Sequence, residues 1–327
     1  MITFKSIFKD DISNYLAVRK AVLSGPAFKH DTCYLASFDA FFAHAGLQKK
    51  EIPESVFIEW QKTVTGKTST KAGRIIAIRT FIMYLHTLGV PAYVPVIPKI
   101  VDDYMPYIFC DEELERIFNG ADSVISTKCQ QNPYINREFP MILRLLYGCG
   151  LRIGEALALQ MKDTDLEGGI LTLLHTKNNK RRLVPMSPSL TEIVRRYCLA
   201  MGITGIPDGF LFPGKNQAVP LSIRAVRNKF DVLLKNLGIK KPDRKWHERG
   251  PCLHCFRHMF VFKSFAQAHK HGRSIDASVP FLSTYLGHDS LKETEKYLKF
   301  SSELFPNALE LFEGYARTVF PEADYEK

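Results

Sequence analysis

The chain has 327 residues, of which 46% are hydrophobic, and it carries a formal net charge of +10 with a pI near 9.2. This length predicts two domains, and the charge indicates a polyanionic partner, either nucleic acid or an anionic membrane surface. No apolar run approaches the roughly 20 residues of a membrane span, and the N-terminus does not resemble a signal peptide. We therefore expect a soluble, cytoplasmic protein. Its seven scattered cysteines predict reduced thiols rather than a disulfide scaffold.

Residues 1–90 are predicted to form helices with no strand. Apolar residues recur at spacings of three and four, and Gly25-Pro26 interrupts the pattern between the first two helices. A longer helix follows, with Ser69 or Thr70 as its cap. The polar residues around that cap supply hydroxyls, backbone amides and cations, which suits a phosphate but equally describes a solvated loop.

A proline-rich segment follows, with prolines at positions 91, 95, 98 and 106. Because proline fixes φ and lacks an N–H donor, residues 91–106 are predicted to be an extended linker. This linker separates residues 1–90 from residues 107–327.

An arginine lies at a sharp break between two predicted helices. The apolar run 141–147 predicts a buried helix that ends near Gly150, and Arg152 follows directly. A guanidinium at this turn would be held rigidly, with support from Glu155. Its planar set of donors suits the nonbridging oxygens of a phosphate.

A strand, turn and strand are predicted next, at residues 170–174 and 182–185. Lys177 lies at the turn, where a flexible ammonium group could deliver a proton to a leaving oxygen. The basic residues of this hairpin could instead serve only as phosphate contacts, and Lys180 is the alternative proton donor.

His254 and Arg257 stand beside two cysteines in the sequence Cys252-Leu253-His254-Cys255-Phe256-Arg257-His258. This crowding of sulfur and imidazole raises a zinc hypothesis. Structural zinc sites usually draw their ligand pairs from separate segments, whereas these residues share one predicted helix start. We therefore favour a site without a metal, with His258 as a buried core histidine.

The end of the chain places His288, in Leu286-Gly287-His288, nine residues before Tyr297. A helix over residues 292–300 is predicted to carry this tyrosine. Most tyrosines on short helices are packing residues, and a phenol with a pKa near 10 is a poor nucleophile. Covalent chemistry by Tyr297 would need cationic groups around its target, and the arginine, lysine and histidine motifs supply them.

The order and spacing of these motifs resemble those of the tyrosine site-specific recombinases, the phage integrase family, over roughly residues 107–300. The resemblance implies Tyr297 as the nucleophile, and it implies a catalytic set completed by Arg152, Lys177, His254, Arg257 and His288. No cofactor is implied, since the arginines take the electrostatic role that a metal plays elsewhere.

The fold implied is mainly α with a small β-sheet: an all-helical N-terminal core DNA-binding domain and a tyrosine-recombinase catalytic domain with a C-terminal helix. The partner implied is double-stranded DNA with specific recombination sites, bound by a homotetramer, and the activity implied is that of a mobile-element integrase. A final apolar helix at residues 304–320 could pack on its own domain or, as in the family, dock into a neighbouring protomer. Residues 238–250, rich in Lys and Arg, fit a DNA-facing loop or an exposed surface.

Two other functions fit parts of this pattern. A type IB topoisomerase uses similar chemistry as a monomer and would relax plasmids that lack any special site. A non-catalytic DNA-binding protein could keep the fold, although the presence of the whole residue set argues against it.

Overall fold

A computed structural model describes residues 2–100, 106–123, 134–174, 181–215, 218–240 and 250–298. The chain divides into two compact units, Met1–Tyr104 and Met105–Lys327. Within the described residues the fold is mainly helical with one small antiparallel sheet, so the predicted fold class is confirmed. None of the described helices is both long and apolar enough to cross a membrane.

The first unit contains four helices: α1 (Lys9–Val22), α2 (Gly25–Ala45), α3 (Glu54–Thr63) and α4 (Thr68–Thr87). Gly25-Pro26 begins α2 instead of standing between two helices, because proline is tolerated in the first turn, where its missing N–H has no helical partner. The helices enclose an aromatic core in which Phe38 lies edge-on to Trp60, with ring centroids 5.2 Å apart.

The start of the proline-rich segment packs on this first unit. The backbone N–H of Tyr93 donates to the carbonyl of Ile52 over 2.9 Å, and Arg79 donates to the carbonyl of Pro95 over 2.5 Å. Ala92, Tyr93 and Val94 also contact the helical core. The segment is therefore anchored at its beginning by ordinary backbone and side-chain contacts.

The second unit contains the remaining elements. Its described helices are α5 (Asp111–Asp122), α6 (Ile135–Cys149), α7 (Ile153–Ala158), α8 (Pro188–Met201), α9 (Ile223–Asn236), α10 (His254–Lys270), α11 (Ile275–Leu286) and α12 (Leu291–Glu295). Its strands are β1 (Thr164–Asp165), β2 (Ile170–Leu173) and β3 (Arg182–Pro185), in the antiparallel order β1-β2-β3. The predicted hairpin is confirmed, with Leu171 opposite Val184 and Leu173 opposite Arg182.

Helices α6 and α10 pack against each other at the centre of this unit. Phe256 on α10 is fully buried and lies among Phe109, Phe230 and Tyr147, with ring centroids 5.5 to 6.5 Å apart. Aromatic side chains supply much of the buried apolar area here. This core fixes the N-terminal turn of α10, which carries two of the predicted site residues.

Several sequence predictions fall outside the described residues. They concern Lys177 and Lys180 at the hairpin turn, most of the basic stretch 238–250, and the final helix at 304–320.

Candidate active site

Arg152 is held at the break between α6 and α7. Helix α6 ends at Gly150, whose φ of +60° favours glycine, and a Cβ there would lie 2.6 Å from the ring of Phe260. Arg152 then caps α7: its backbone N–H donates to Glu155 Oε2 over 2.9 Å and its NH1 donates to Oε1 over 3.0 Å. The Arg152 side chain is 23% exposed, so it is fixed by Glu155 yet accessible to a ligand.

Glu155 also binds a second arginine, Arg182 at the start of β3. NH1 of Arg182 donates to Oε1 over 3.1 Å and NH2 donates to Oε2 over 2.8 Å. Burial alone would raise the pKa of Glu155, but the hydrogen bonds and positive charges of Arg182 and Arg152 outweigh it and lower the pKa below its ordinary value. The sequence pattern indicates only that the basic residues of this hairpin, Arg182 among them, could contact phosphate. The sharing of a carboxylate by Arg182 and Arg152 was missed.

Arg257 is buried, with 1% of its surface exposed. Its NH1 donates to the carbonyl of Gly150 over 2.7 Å, and its NH2 donates to the carbonyl of Leu286 over 2.8 Å. The guanidinium therefore joins the C-terminal ends of α6 and α11. Burial, reinforced by the charge of Arg152, lowers the pKa of Arg257 to about 10, which still leaves it charged at neutral pH.

His288 follows the turn at Gly287 and contacts two residues through its two ring nitrogens. Nε2 lies 3.1 Å from NH2 of Arg257, and Nδ1 lies 2.7 Å from the hydroxyl oxygen of Thr294 on α12. Burial lowers the pKa of His288 to about 4, and nearby positive charges, first that of Arg257, act in the same direction. The imidazole is therefore neutral at pH 7.

Thr294 was not singled out from the sequence. Its side chain is fully buried at the contact with His288. The available signal was its position three residues before Tyr297, a spacing that places two helical side chains on the same face.

Tyr297 lies beside this cluster with 7% of its surface exposed. Its ring is parallel to that of His288, within 4°, at a centroid distance of 6.4 Å, and it contacts the rings of His258 and Phe262 at 5.3 and 5.9 Å. The predicted helix over residues 292–300 is shorter than expected, because α12 ends at Glu295 and Tyr297 lies in the turn that follows. The phenol is thus close to the histidine and to buried Arg257.

His254 occupies the first turn of α10 and is exposed. Its ring centroid lies 4.7 Å from that of His258, which in turn contacts Tyr297. His254 therefore lies at the rim of a cluster in which Arg152, Arg257, His288 and Tyr297 come together.

The cysteines near this turn contact one another. The sulfur atoms of Cys252 and Cys255 are 3.7 Å apart, and the backbone N–H of Cys252 donates to the sulfur of Cys255. Within the described parts of the chain, no group of three or more His, Cys, Asp or Glu side chains is arranged to hold a metal ion.

The fold is shared with solved recombinase structures. The XerH site-specific recombinase, in a post-cleavage complex with its palindromic difH substrate, aligns with a TM-score of 0.67 and 20% identity, covering 88% of this chain and 80% of that one. The Tn1549 transposon integrase bound to transposon right end DNA aligns with a TM-score of 0.64 and 16% identity, covering 88% and 93%. These alignments show the fold that the chain shares with the two recombinases.

Sequence relatives agree with this class. The protein y4rB of Sinorhizobium fredii, whose assignment as an integrase/recombinase is itself inferred, is 26% identical over 94% of this chain and 98% of its own length. The tyrosine recombinase XerC of a Methylobacterium species is 36% identical over 52% of this chain and 48% of its own. Residues 109–303, more than half of the chain, match the phage integrase family, and the chain belongs to that family. It is a tyrosine recombinase, an enzyme that cleaves and rejoins DNA, as the resemblance predicted.

Proposed function

We propose that the protein is a site-specific DNA recombinase whose nucleophile is Tyr297. The phenol oxygen attacks a scissile phosphate of double-stranded DNA, forming a 3′-phosphotyrosyl bond and releasing a 5′ hydroxyl. One observation carries this proposal: two arginines and a histidine from separate segments, Arg152, Arg257 and His288, converge beside Tyr297.

The two arginines have different roles in the proposed reaction. Attack on the phosphorus adds negative charge to the nonbridging oxygens, and fixed cations stabilise that charge without reorganising. Arg257 is buried among carbonyls, where its charge acts through a low dielectric. Arg152 is partly exposed, and among the described contacts it binds Glu155 through NH1, so Nε and NH2 are donors for an incoming phosphate.

The remaining polar residues handle protons and orientation. His288 donates from Nε2 to a nonbridging oxygen, because the negative charge of the bound phosphate offsets the surrounding cations and raises the pKa of the imidazole. His254, from the rim of the site, and Arg257, from its buried position, belong to the groups that surround the developing negative charge on the phosphate. Lys177, with Lys180 as the alternative, protonates the leaving 5′ oxygen as a general acid.

Religation needs no external energy source, since the phosphotyrosyl bond keeps the energy of the phosphodiester. A 5′ hydroxyl from a partner duplex attacks that bond, and two sequential exchanges through a four-way junction recombine two sites. We propose that four copies of the chain assemble on the DNA and that residues 1–90 also bind the duplex. We propose that the reaction serves a mobile element; the relative y4rB, which aligns over nearly the whole chain, is described as an integrase/recombinase.

A suicide substrate, nicked so that the 5′-hydroxyl fragment diffuses away, tests the nucleophile. The wild-type protein should form a covalent complex that survives denaturing electrophoresis, whereas Tyr297→Phe should bind the same DNA without forming it. Tyr285→Phe is the matched control, because it removes a neighbouring hydroxyl from a ring that stacks on Phe260. A trapped complex with Tyr297→Phe would refute the assignment.

The same preparation identifies the substrate. Sequencing the DNA attached to Tyr297 in cells should return one short, recurrent site at the ends of a mobile element. Efficient relaxation of a plasmid lacking that site would instead support topoisomerase activity.

A further inference from the structure

The two nitrogens of His288 have chemically different partners. Nε2 lies 3.1 Å from NH2 of Arg257, and Nδ1 lies 2.7 Å from Oγ1 of Thr294. A guanidinium N–H can only donate, whereas a hydroxyl oxygen can donate or accept. The contact with Arg257 therefore requires Nε2 to accept.

This requirement fixes the location of the imidazole proton. A neutral imidazole carries one N–H and one lone pair, so a ring that accepts at Nε2 has its proton on Nδ1. Nδ1–H then donates to Oγ1 of Thr294. Thr294 is fully buried, and water does not reach that position to take the place of its hydroxyl.

We propose that Thr294 is a positioning residue that holds His288 as the Nδ1-protonated tautomer, so that Nε2 alone gains and loses the second proton. The proposal rests on the proposed function, in which Nε2 contacts the scissile phosphate. Thr294 accepts from Nδ1–H whether the ring is neutral or protonated. The ring therefore keeps one orientation while its charge changes.

The surroundings of His288 make this control necessary. Arg257 from α10, Arg152 before α7, Arg182 on β3 and His254 on α10 all disfavour the protonated ring, and Glu155 and Tyr297 lie among the same groups. In the other tautomer, Nε2–H would point a donor at the donor of Arg257. Without an acceptor at Thr294, the ring would lose the interaction that prevents this arrangement.

Nitrogen NMR of histidine-labelled protein tests the tautomer directly. At pH 7 the wild-type His288, assigned by its absence in His288→Gln, should show a protonated Nδ1 and an unprotonated Nε2. Thr294→Val keeps the shape of the side chain and removes the acceptor, so part or all of the population should shift to Nε2–H. Thr294→Ser keeps the hydroxyl and should preserve the wild-type pattern.

Cleavage of the suicide substrate tests the consequence. We expect Thr294→Val to lower the single-turnover rate by roughly tenfold or more, in line with an unsatisfied buried donor, and Thr294→Ser to restore most of it. The pH dependence of the rate should also change in Thr294→Val, because the proton is no longer confined to Nε2. Thr191→Val removes another buried threonine hydroxyl, one that donates to the backbone carbonyl of Ser187 just before α8, and should change neither the rate nor the tautomer.

Each outcome separates the two proposals. A wild-type His288 protonated at Nε2, or a Thr294→Val protein with both the wild-type tautomer and the wild-type rate, would overturn the role of Thr294. If the wild-type protein forms no covalent complex, the proposed function fails, while the NMR result still decides whether Thr294 sets the tautomer. If the Thr294→Val protein does not fold, the tautomer of His288 in the wild type and the cleavage rate of Thr294→Ser decide the proposal.

Discussion

Arg182 and Glu155 form a two-point ion pair, with NH1 3.1 Å from Oε1 and NH2 2.8 Å from Oε2. The same carboxylate accepts from the backbone and NH1 of Arg152. One buried side chain thereby fixes strand β3 to the N-terminus of α7, and it sets the direction of the guanidinium that we assign to phosphate binding. Paired geometry of this kind adds directional specificity to the charge attraction.

Removing the charge of Glu155 should destabilise the protein and impair catalysis. Glu155→Gln leaves Arg182, whose side chain is only 9% exposed, with an uncompensated charge, and breaking such a buried pair costs about 3 kcal/mol. Urea denaturation measures the loss. Glu192→Gln is the control, because Glu192 pairs with Arg195 and Arg196 on an exposed face where water screens the charges, so its stability should stay close to that of the wild type. Equal effects of the two substitutions would contradict the central role of Glu155.

Substitution of Arg182 should have a larger effect on DNA cleavage than substitution of its neighbour Arg181. Arg182→Lys supplies one point charge where a planar fork binds both carboxylate oxygens, so Arg152 should be less well oriented and the cleavage rate should fall. Arg181 is exposed, and Arg181→Lys should leave both stability and rate unchanged. Single-turnover cleavage of the two variants provides the comparison, and a similar loss in both would point to general phosphate binding by the hairpin.

The stability of the free protein should fall between about pH 6.5 and 4. The folded pKa of His288, about 4, is below its ordinary value of 6.5, so the unfolded chain binds more protons in this range. The contribution of His288 is complete above pH 6.5 and is lost as the pH falls toward 4. In His288→Gln the free energy of unfolding should depend less steeply on pH. The slope should fall by less than about 1.4 kcal/mol per pH unit, the value for one full proton, because the ring is partly exposed. An unchanged slope in His288→Gln would contradict the lowered pKa of His288.

DNA binding should weaken steeply with salt, because each neutralised phosphate releases counterions. Arg152→Ala should reduce the slope of log K against log salt by about one, as expected for the loss of a single phosphate contact. Fluorescence anisotropy over a range of salt concentrations measures both slopes. If Arg152→Ala lowers the affinity but leaves the slope of log K against log salt unchanged, Arg152 does not contact phosphate in the bound state.

The core beneath α10 should be sensitive to truncation. Phe256→Ala removes a ring that contacts Phe109, Phe118 and Phe230, and we expect a loss of about 3–5 kcal/mol. Phe281, which is 66% exposed on α11, is the control, and Phe281→Ala should change stability by about 0.5 kcal/mol or less. Thermal or urea unfolding distinguishes the two.

The sequence by itself determined the helical character of the chain, the β2–β3 hairpin and the break at Gly150. These features are local: apolar periodicity, strand alternation and positive-φ glycines act within a few residues. The order of the cationic motifs also identified the family before any contact was known. Two helix ends differ from the prediction, at Gly25-Pro26 and at the early end of α12, because a helix ends where its packing and capping partners end.

Only the tertiary structure decided which of these residues meet. Arg257 donates to the carbonyl of Gly150, 107 positions earlier in the chain, and Arg182 reaches Glu155 across 27 positions. The role that we propose for Thr294 follows only from the contact of its hydroxyl with Nδ1 of His288. No local sequence pattern specifies these hydrogen-bonded pairs. Each pair depends on how whole helices pack and on which polar groups that packing buries together.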